Sequence, residues 1–256
     1  MQKLFRYFFA AVVLTSFAHV MTGGLPPHLL SVMLALTGAL GLGVIVAYVN
    51  AKREASFWTK KPAERIAIMK ELFQKGHYAK TPPIYYANLS ACHFDNGDYE
   101  QALDLISQAE ALPEKNPVFE QAIEQSKAVI LLHLGRQEEG TAILERLDKI
   151  NGLQDSIMFN VKSNLGVLAL QRGDIDRAKA CLFAMKAINA RFEDDYWFIK
   201  RNDDMLMLQA EIEFTEGYVD QAAKSAEAVL DRSDSHPVIK RAEKLLERWK
   251  AFVPAD

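Results

Sequence analysis

Acidic residues are missing from the first 53 positions of this chain, although 33 Asp and Glu occur in its 256 residues. The same stretch has only Lys3, Arg6, Lys52 and Arg53 as bases. Cysteine is scarce. Cys92 and Cys181 are too few and too distant in sequence for a disulfide framework, and two buried free thiols are expected, as suits a reducing compartment. Basic surplus is also wanting. Leaving aside Lys3 and Arg6, 28 of the 30 Lys and Arg stand against 33 acids from residue 51 onward, a net charge of −5. Nucleic acid calls for clustered cations, so no nucleic-acid partner is expected.

Chemistry-bearing patterns are equally sparse. No Gly-rich phosphate loop opens a helix, and no nucleophile elbow occurs. His19 and His28 fall in the apolar leader, His77 in a linker, and His93 and His133 on separate helices, without Cys or carboxylate at metal-ligand spacing. Asp194-Asp195 and Asp203-Asp204 read as charges near helix starts, where the macrodipole favours anions. No catalysis, no metal and no cofactor are expected.

What is present begins with two apolar runs. Leu29 to Val49 is 21 residues without a charge, long enough as a helix for the ~30 Å hydrocarbon core of a bilayer. Tyr7 to Met21 is the second, just long enough if Leu4 and Phe5 are included and Arg6 snorkels outward. Gly23-Gly24 and Pro26-Pro27 make a turn between them, which predicts a membrane hairpin with spans at about 4–22 and 29–49. A signal peptide is the rival reading of the first run, though it lacks a convincing small-x-small cleavage site. Lys52, Arg53, Lys60, Lys61 and Arg65 follow the second span, whereas the short loop has no base. The positive-inside rule therefore predicts an integral, multi-pass membrane protein whose larger part faces the cytoplasm. Ala35, Ala39, Gly43 and Ala47 share one face of the second span and would let another helix, including one from a second copy, approach closely.

Beyond the leader one arrangement recurs four times: a small residue, Gly seven positions later, a small residue at twelve and an apolar one at sixteen. The copies are Ser90-Gly97-Ala102-Ile106, Ala128-Gly135-Gly140-Leu144, Gly166-Gly173-Ala178-Leu182 and Ala210-Gly217-Ala222-Ala226. The turn glycines lie 38, 38 and 44 residues apart, a period typical of helical solenoids. The first copy predicts a helix over Tyr85 to Asn96, a Gly97-Asp98 turn and a helix over Tyr99 to Leu112, which Pro113 stops. Ser90 and Ala102 would sit where the antiparallel helices come nearest. Ahead of the repeats, Thr59 is expected to cap a helix that has Pro62 in its first turn, ends at Gly76 and packs through Ile66, Met69, Leu72 and Phe73. After them, His236-Pro237 starts a helix through Trp249 whose Val238, Ala242, Leu245, Leu246 and Trp249 face inward as an end cap.

These residues resemble the tetratricopeptide repeat family. The first copy has Tyr86, Leu89-Ser90, Gly97-Asp98-Tyr99, Ala102, Ile106 and Ala109, with Pro113 nearby; the third has Asn164-Leu165-Gly166, Gly173-Asp174-Ile175, Ala178, Leu182 and Met185. The second departs at Lys127, Arg136 and Gly140, the fourth at Gln209. The expected fold is all-α: a transmembrane helical hairpin over 1–53, a linker and capping helix over 54–82, an α-solenoid of about four repeat-like helix pairs over 83–236, and a C-terminal capping helix and tail over 237–256.

The resemblance implies a concave groove that holds a partner peptide or helix. Carried over by position, it is made by Asn88, Ala91 and Phe94, with Asp95, from the first copy and by Gln125 and Val129, with Leu132 and His133, from the second. The third contributes Ser163, Asn164 and Val167, with Leu170 and Gln171, and the fourth Met207 and Glu211, with Phe214. Phe94, Leu132 and Leu170 suit the core between repeats equally well. No Lys or Arg cluster for a C-terminal carboxylate is seen among these positions. Tyr196-Trp197-Phe198 reads as core or as a secondary interface. The expected function is a membrane-anchored protein-protein interaction scaffold with other proteins and the lipid bilayer as partners. The alternatives are an accessory structural subunit of a membrane complex, held through the transmembrane helices and able to self-associate there, or an assembly or quality-control factor for membrane components.

Overall fold

The computed structural model describes residue 39 and residues 56–113, 116–191 and 196–252, the side chains of 196–201 excepted. Its contacts divide the chain into Met1–Lys60 and Lys61–Asp256. In the first unit, a single helical turn at residues 56–58 brings the Phe57 and Trp58 rings edge to face at 5.0 Å.

The described part of the second unit is helical: α1 Pro62–Gln74, α2 Pro82–Asn96, α3 Tyr99–Ala111, α4 Pro117–His133, α5 Gln137–Leu147, α6 Asp155–Gln171, α7 Ile175–Asn189, α8 Tyr196–Thr215, α9 Val219–Leu230 and α10 His236–Phe252. Local chemistry sets the starts. α1, α2 and α4 open on Pro, whose missing N–H would lack an intrahelical partner there in any case. Asn116 Oδ1 accepts from the Val118 N–H at 3.0 Å, and Asp174 Oδ1 from the Arg177 N–H at 3.0 Å. Thr59 does not cap α1: it donates its hydroxyl to the Ser56 carbonyl at 2.9 Å, and Lys61 stands before the helix without a side-chain cap.

Four helix pairs follow α1, namely α2/α3, α4/α5, α6/α7 and α8/α9. Each pair turns on one of the repeat glycines, which adopt positive φ between 76° and 93°. Small residues let the backbones close in. Ser90 Oγ donates to the Ala102 carbonyl at 2.7 Å across the first pair. A Cβ at Gly140 would stand 2.7 Å from the Ala128 carbonyl oxygen, and one at Gly166 would stand 2.7 Å from Leu208 Cδ2 of α8.

The apolar faces are buried from one pair to the next, as nearest-neighbour stacking requires. Ala102, Ile106 and Ala109 of α3 pack with Ile123 and Ile130 of α4. Leu144 and Leu147 of α5 pack with Ile157, Val161 and Leu165 of α6. Leu182 and Met185 of α7 pack with Leu208 and Ile212 of α8. Val229 of α9 packs with Val238, Ala242 and Leu245 of α10, with Leu246 and Trp249 at the margin of that cluster. Each fully buried Leu here contributes about 2 kcal/mol of transfer free energy.

The first helices of the pairs lie side by side, α4 against α6 and α6 against α8, and α10 continues the row against α8. α10 also reaches back to α2, so the five inner helices close into a ring.

Among the described residues no helix is long and apolar enough to cross a membrane, which corrects the expectation of a multi-pass integral membrane protein facing the cytoplasm. The 20-residue α8 is long enough for a span, but its Lys200, Arg201, Asp203, Asp204, Glu211 and Glu213 rule that out. The spans expected at 4–22 and 29–49 lie outside the described residues, as do Ala35, Gly43 and Ala47; Ala39 is helical and exposed. The expected bilayer contact and self-association rest on those same residues.

Candidate functional site

The inner helices surround a cavity of about 380 Å³ that is partly open to solvent. Helix periodicity explains which side chains reach it. On α4, Gln125, Val129 and Leu132 recur at helical spacing and reach it, and Asn160, Ser163, Asn164 and Val167 do the same on α6. From α2 come Ala91, Phe94 and Asp95, from α8 Asp204, and from α10 and the residue before it Ser235, Val238 and Arg241.

Of the positions carried over from the repeat pattern, Ala91, Phe94, Gln125, Val129, Ser163, Asn164 and Val167 line this one cavity, as do Asp95, Leu132, His133 and Gln171. Five do not. Asn88 lies instead near the Tyr78 hydroxyl. Met207 and Phe214 are buried in the α8–α10 core. Leu170 packs at the α6–α8 core. Glu211 is taken up by Arg241: Nε donates to Oε1 at 3.0 Å and Nη2 to Oε2 at 2.8 Å. Met207, Phe214 and Glu211 fail as wall residues because α10 covers the last pair, where an open solenoid would leave the face bare; Leu170 is taken up by packing among α6, α7 and α8. Phe94 and Leu132 do both jobs, lining the cavity and touching the core. Tyr196, Trp197 and Phe198 belong to α8, and their side chains lie outside the description.

The closing seam was not visible in the repeat pattern. Arg65 of α1 is fully buried, with Nη1 2.8 Å from Asp95 Oδ2 of α2 and Nη2 3.4 Å from Asp234 Oδ2 before α10. Ser235 Oγ donates to Asp95 Oδ1 at 3.3 Å. Tyr99 Oη and His236 Nδ1 share a hydrogen bond of 3.0 Å, and the Tyr99 ring stacks on His133 at 5.0 Å. One signal was available: Arg65, Met69 and Leu72 fall on one face of α1, and an Arg in such a row asks for a buried acid.

Amides and hydroxyls dominate the wall polarity. Asn160 Nδ2 donates to Gln125 Oε1 at 3.3 Å, linking α6 to α4, and Asn164 Nδ2 donates to the Asn160 carbonyl at 2.8 Å. Burial works against the charge on Arg241, but Glu211 and then Asp204 outweigh it and raise its pKa. The protein around the His133 imidazole, aided by Arg241 and His236, pushes its pKa down to about 4. That ring is neutral near pH 7. Cys92 and Cys181 are both buried free thiols, and burial pushes the Cys181 thiol pKa up. Among the described residues no group of His, Cys, Asp or Glu is placed to hold a metal ion.

Stacked helix pairs around a concave cavity define a helical-repeat protein. The sequence model for the tetratricopeptide repeat matches residues 161–182, which run from the second half of α6 through the Gly173 turn into α7. The third of the four helix pairs thus carries a tetratricopeptide repeat. No curated protein matches the chain. Among solved structures it is similar to BtubC (BKLC) from P. vanneervenii, at 15% identity and a TM-score of 0.45, over 77% of this chain and 95% of that one. It is also similar to MamA of AMB-1, at 18% identity and a TM-score of 0.34, over 68% of this chain and 98% of the other.

Proposed function

We propose that this chain is a protein-protein interaction scaffold that holds a segment of a partner protein in the cavity inside its helix ring. The supporting observation is the gathering of Ala91, Phe94, Gln125, Val129, Asn164 and Val167 from three different repeats onto one cavity of about 380 Å³. These mixed amide and apolar side chains face one space, although Phe94 and Val167 also touch the neighbouring core clusters. Pockets that recognise ligands combine an apolar lining with a few placed polar groups in this way.

The test is site-specific photo-cross-linking in the intact chain inside its own cells. A photoactivatable residue at Val129 should capture one protein reproducibly. The same residue at Phe183, which is 76% exposed on the outer face of α7, should not. Val167→Trp fills the cavity and should abolish capture from Val129. Capture from Phe183 alone, or capture from Val129 that Val167→Trp leaves intact, overturns the proposal.

A further inference from the structure

We infer that the ring opens and closes at one place, the seam between α2 and α10, while its helix pairs stay folded. This goes beyond the scaffold reading, because it concerns the shape of the ring itself.

The junctions around the ring are not alike. Buried apolar clusters join α3 with α4, α5 with α6, α7 with α8 and α9 with α10. None of these four clusters joins α2 to α10. Parting an apolar junction returns its side chains to water, and no new interaction offsets that loss. Polar contacts cross the seam instead. Arg65 Nη2 reaches Asp234 Oδ2 at 3.4 Å, and Ser235 Oγ donates to Asp95 Oδ1 at 3.3 Å. Tyr99 Oη and His236 Nδ1 share a hydrogen bond of 3.0 Å. When such contacts part, water solvates both halves and offsets most of what is lost.

The shortest ion pair of the clasp survives the opening. Arg65 Nη1 lies 2.8 Å from Asp95 Oδ2, and the two residues stay on one side of the seam because α1 packs on α2. Asp95 therefore keeps its cation when α10 moves off. The Asp234 side chain is already 32% exposed and passes the rest of the way into water. Neither carboxylate is stranded in the open ring, so the cost of burying a lone charge does not arise.

The seam is also cavity wall. Asp95 lines the cavity from α2, and Ser235, Pro237 and Val238 line it from the start of α10. Parting them breaches the wall, so the open ring exposes what the closed ring shelters. No helix has to break, because small rotations between neighbouring pairs add up around the array.

Single-molecule energy transfer on the full chain tests this. Dyes at Gln101→Cys of α3 and Lys244→Cys of α10, both exposed, straddle the seam. Dyes at Ala142→Cys of α5 and Lys186→Cys of α7, also exposed, straddle an apolar junction. Cys92→Ala and Cys181→Ala keep the dyes off the buried thiols. The seam pair should show a major short distance and a longer one in about 1–10% of molecules. Arg65→Leu should raise the ratio of long to short about tenfold. Asp234→Asn, which leaves Arg65 with Asp95, should raise it as well. The α5–α7 pair should keep one distance throughout. Circular dichroism checks that the helices persist, and if Arg65→Leu does not fold, Asp234→Asn still decides. A parent without the longer population, a ratio indifferent to the substitutions, or an equal spread at the α5–α7 pair would each overturn the inference. The measurement uses no partner, so its failure leaves the scaffold reading to be judged by cross-linking from Val129.

Discussion

Arg65 and Asp234 are 169 positions apart in the chain and meet at 3.4 Å, Nη2 to Oδ2. The same guanidinium holds Asp95 at 2.8 Å, so one buried cation joins α1, the end of α2 and the segment leading into α10. Asp95 is the midpoint of the clasp, since it also accepts from Ser235. A row of helix pairs thereby becomes a ring.

Arg65→Leu should weaken that ring measurably. It removes the fully buried partner of two carboxylates, and losing one side of a buried pair costs about 3 kcal/mol. Asp95 and Asp234 retain some solvent exposure, so the cost should lie near or below that value. The urea midpoint measures the loss, and amide hydrogen exchange should quicken at residues 233–238 ahead of α5 or α6. Unchanged exchange at that segment would show that the clasp does not hold the ends together.

Gly97→Ala and Gly135→Ala form a matched pair. Both place a Cβ on a left-handed backbone, at φ 85° and 79°, with a strain of about 1 kcal/mol. A Cβ at Gly135 would meet nothing within 4 Å, whereas one at Gly97 would stand 2.8 Å from His236 Nδ1. Gly97→Ala should therefore cost more than Gly135→Ala and should separate His236 from Tyr99. Equal shifts in urea midpoint would contradict the close approach at the seam.

Acid should destabilise the chain through His133. Its folded pKa is about 4 against an ordinary value of 6.5, so the unfolded chain binds the extra proton first as pH falls. This group costs nothing above about pH 6.5, and stability declines progressively towards pH 4. The imidazole is open to solvent on its cavity side, which tempers the effect. His133→Gln should flatten the slope of unfolding free energy over that window. A slope identical to the parent's would assign the acid response elsewhere.

Both thiols should resist modification in the native chain. Cys92 is wholly buried, and burial raises the Cys181 pKa, which lowers the reactive thiolate fraction. Ellman's reagent should titrate neither until urea unfolds the protein. Rapid native reaction at Cys181 would mean that the α6/α7 pair opens readily.

How legible was all this beforehand? The pairs were readable because their causes are local. Gly97, Gly173 and Gly217 mark turns that need positive φ, Pro117 and Asp174 mark starts, and Ser90 and Ala102 mark a close approach. Half of the cavity wall followed from the same periodicity, since Gln125, Val129, Asn164 and Val167 point inward by spacing alone. The other half came from outside the repeats. Arg241, Val238 and Ser235 belong to or adjoin α10, whose apolar face reads as an end cap and does pack on α9, while the helix also meets α2. Glu211, expected in the groove, pairs instead with Arg241, which lies 30 positions on in the last helix, beyond the reach of the repeat pattern.

The order of residues was enough to settle that this protein is helical and where its pairs turn, because hydrogen bonding, φ preference and side-chain spacing act over one or two turns. Whether the row of pairs stays open or bites its own tail was decided only in three dimensions. That outcome is the sum of small rotations between neighbouring pairs, and no segment shorter than the whole array carries it. Arg65 and Asp234 could be recognised as partners only after every pair between them had taken its place.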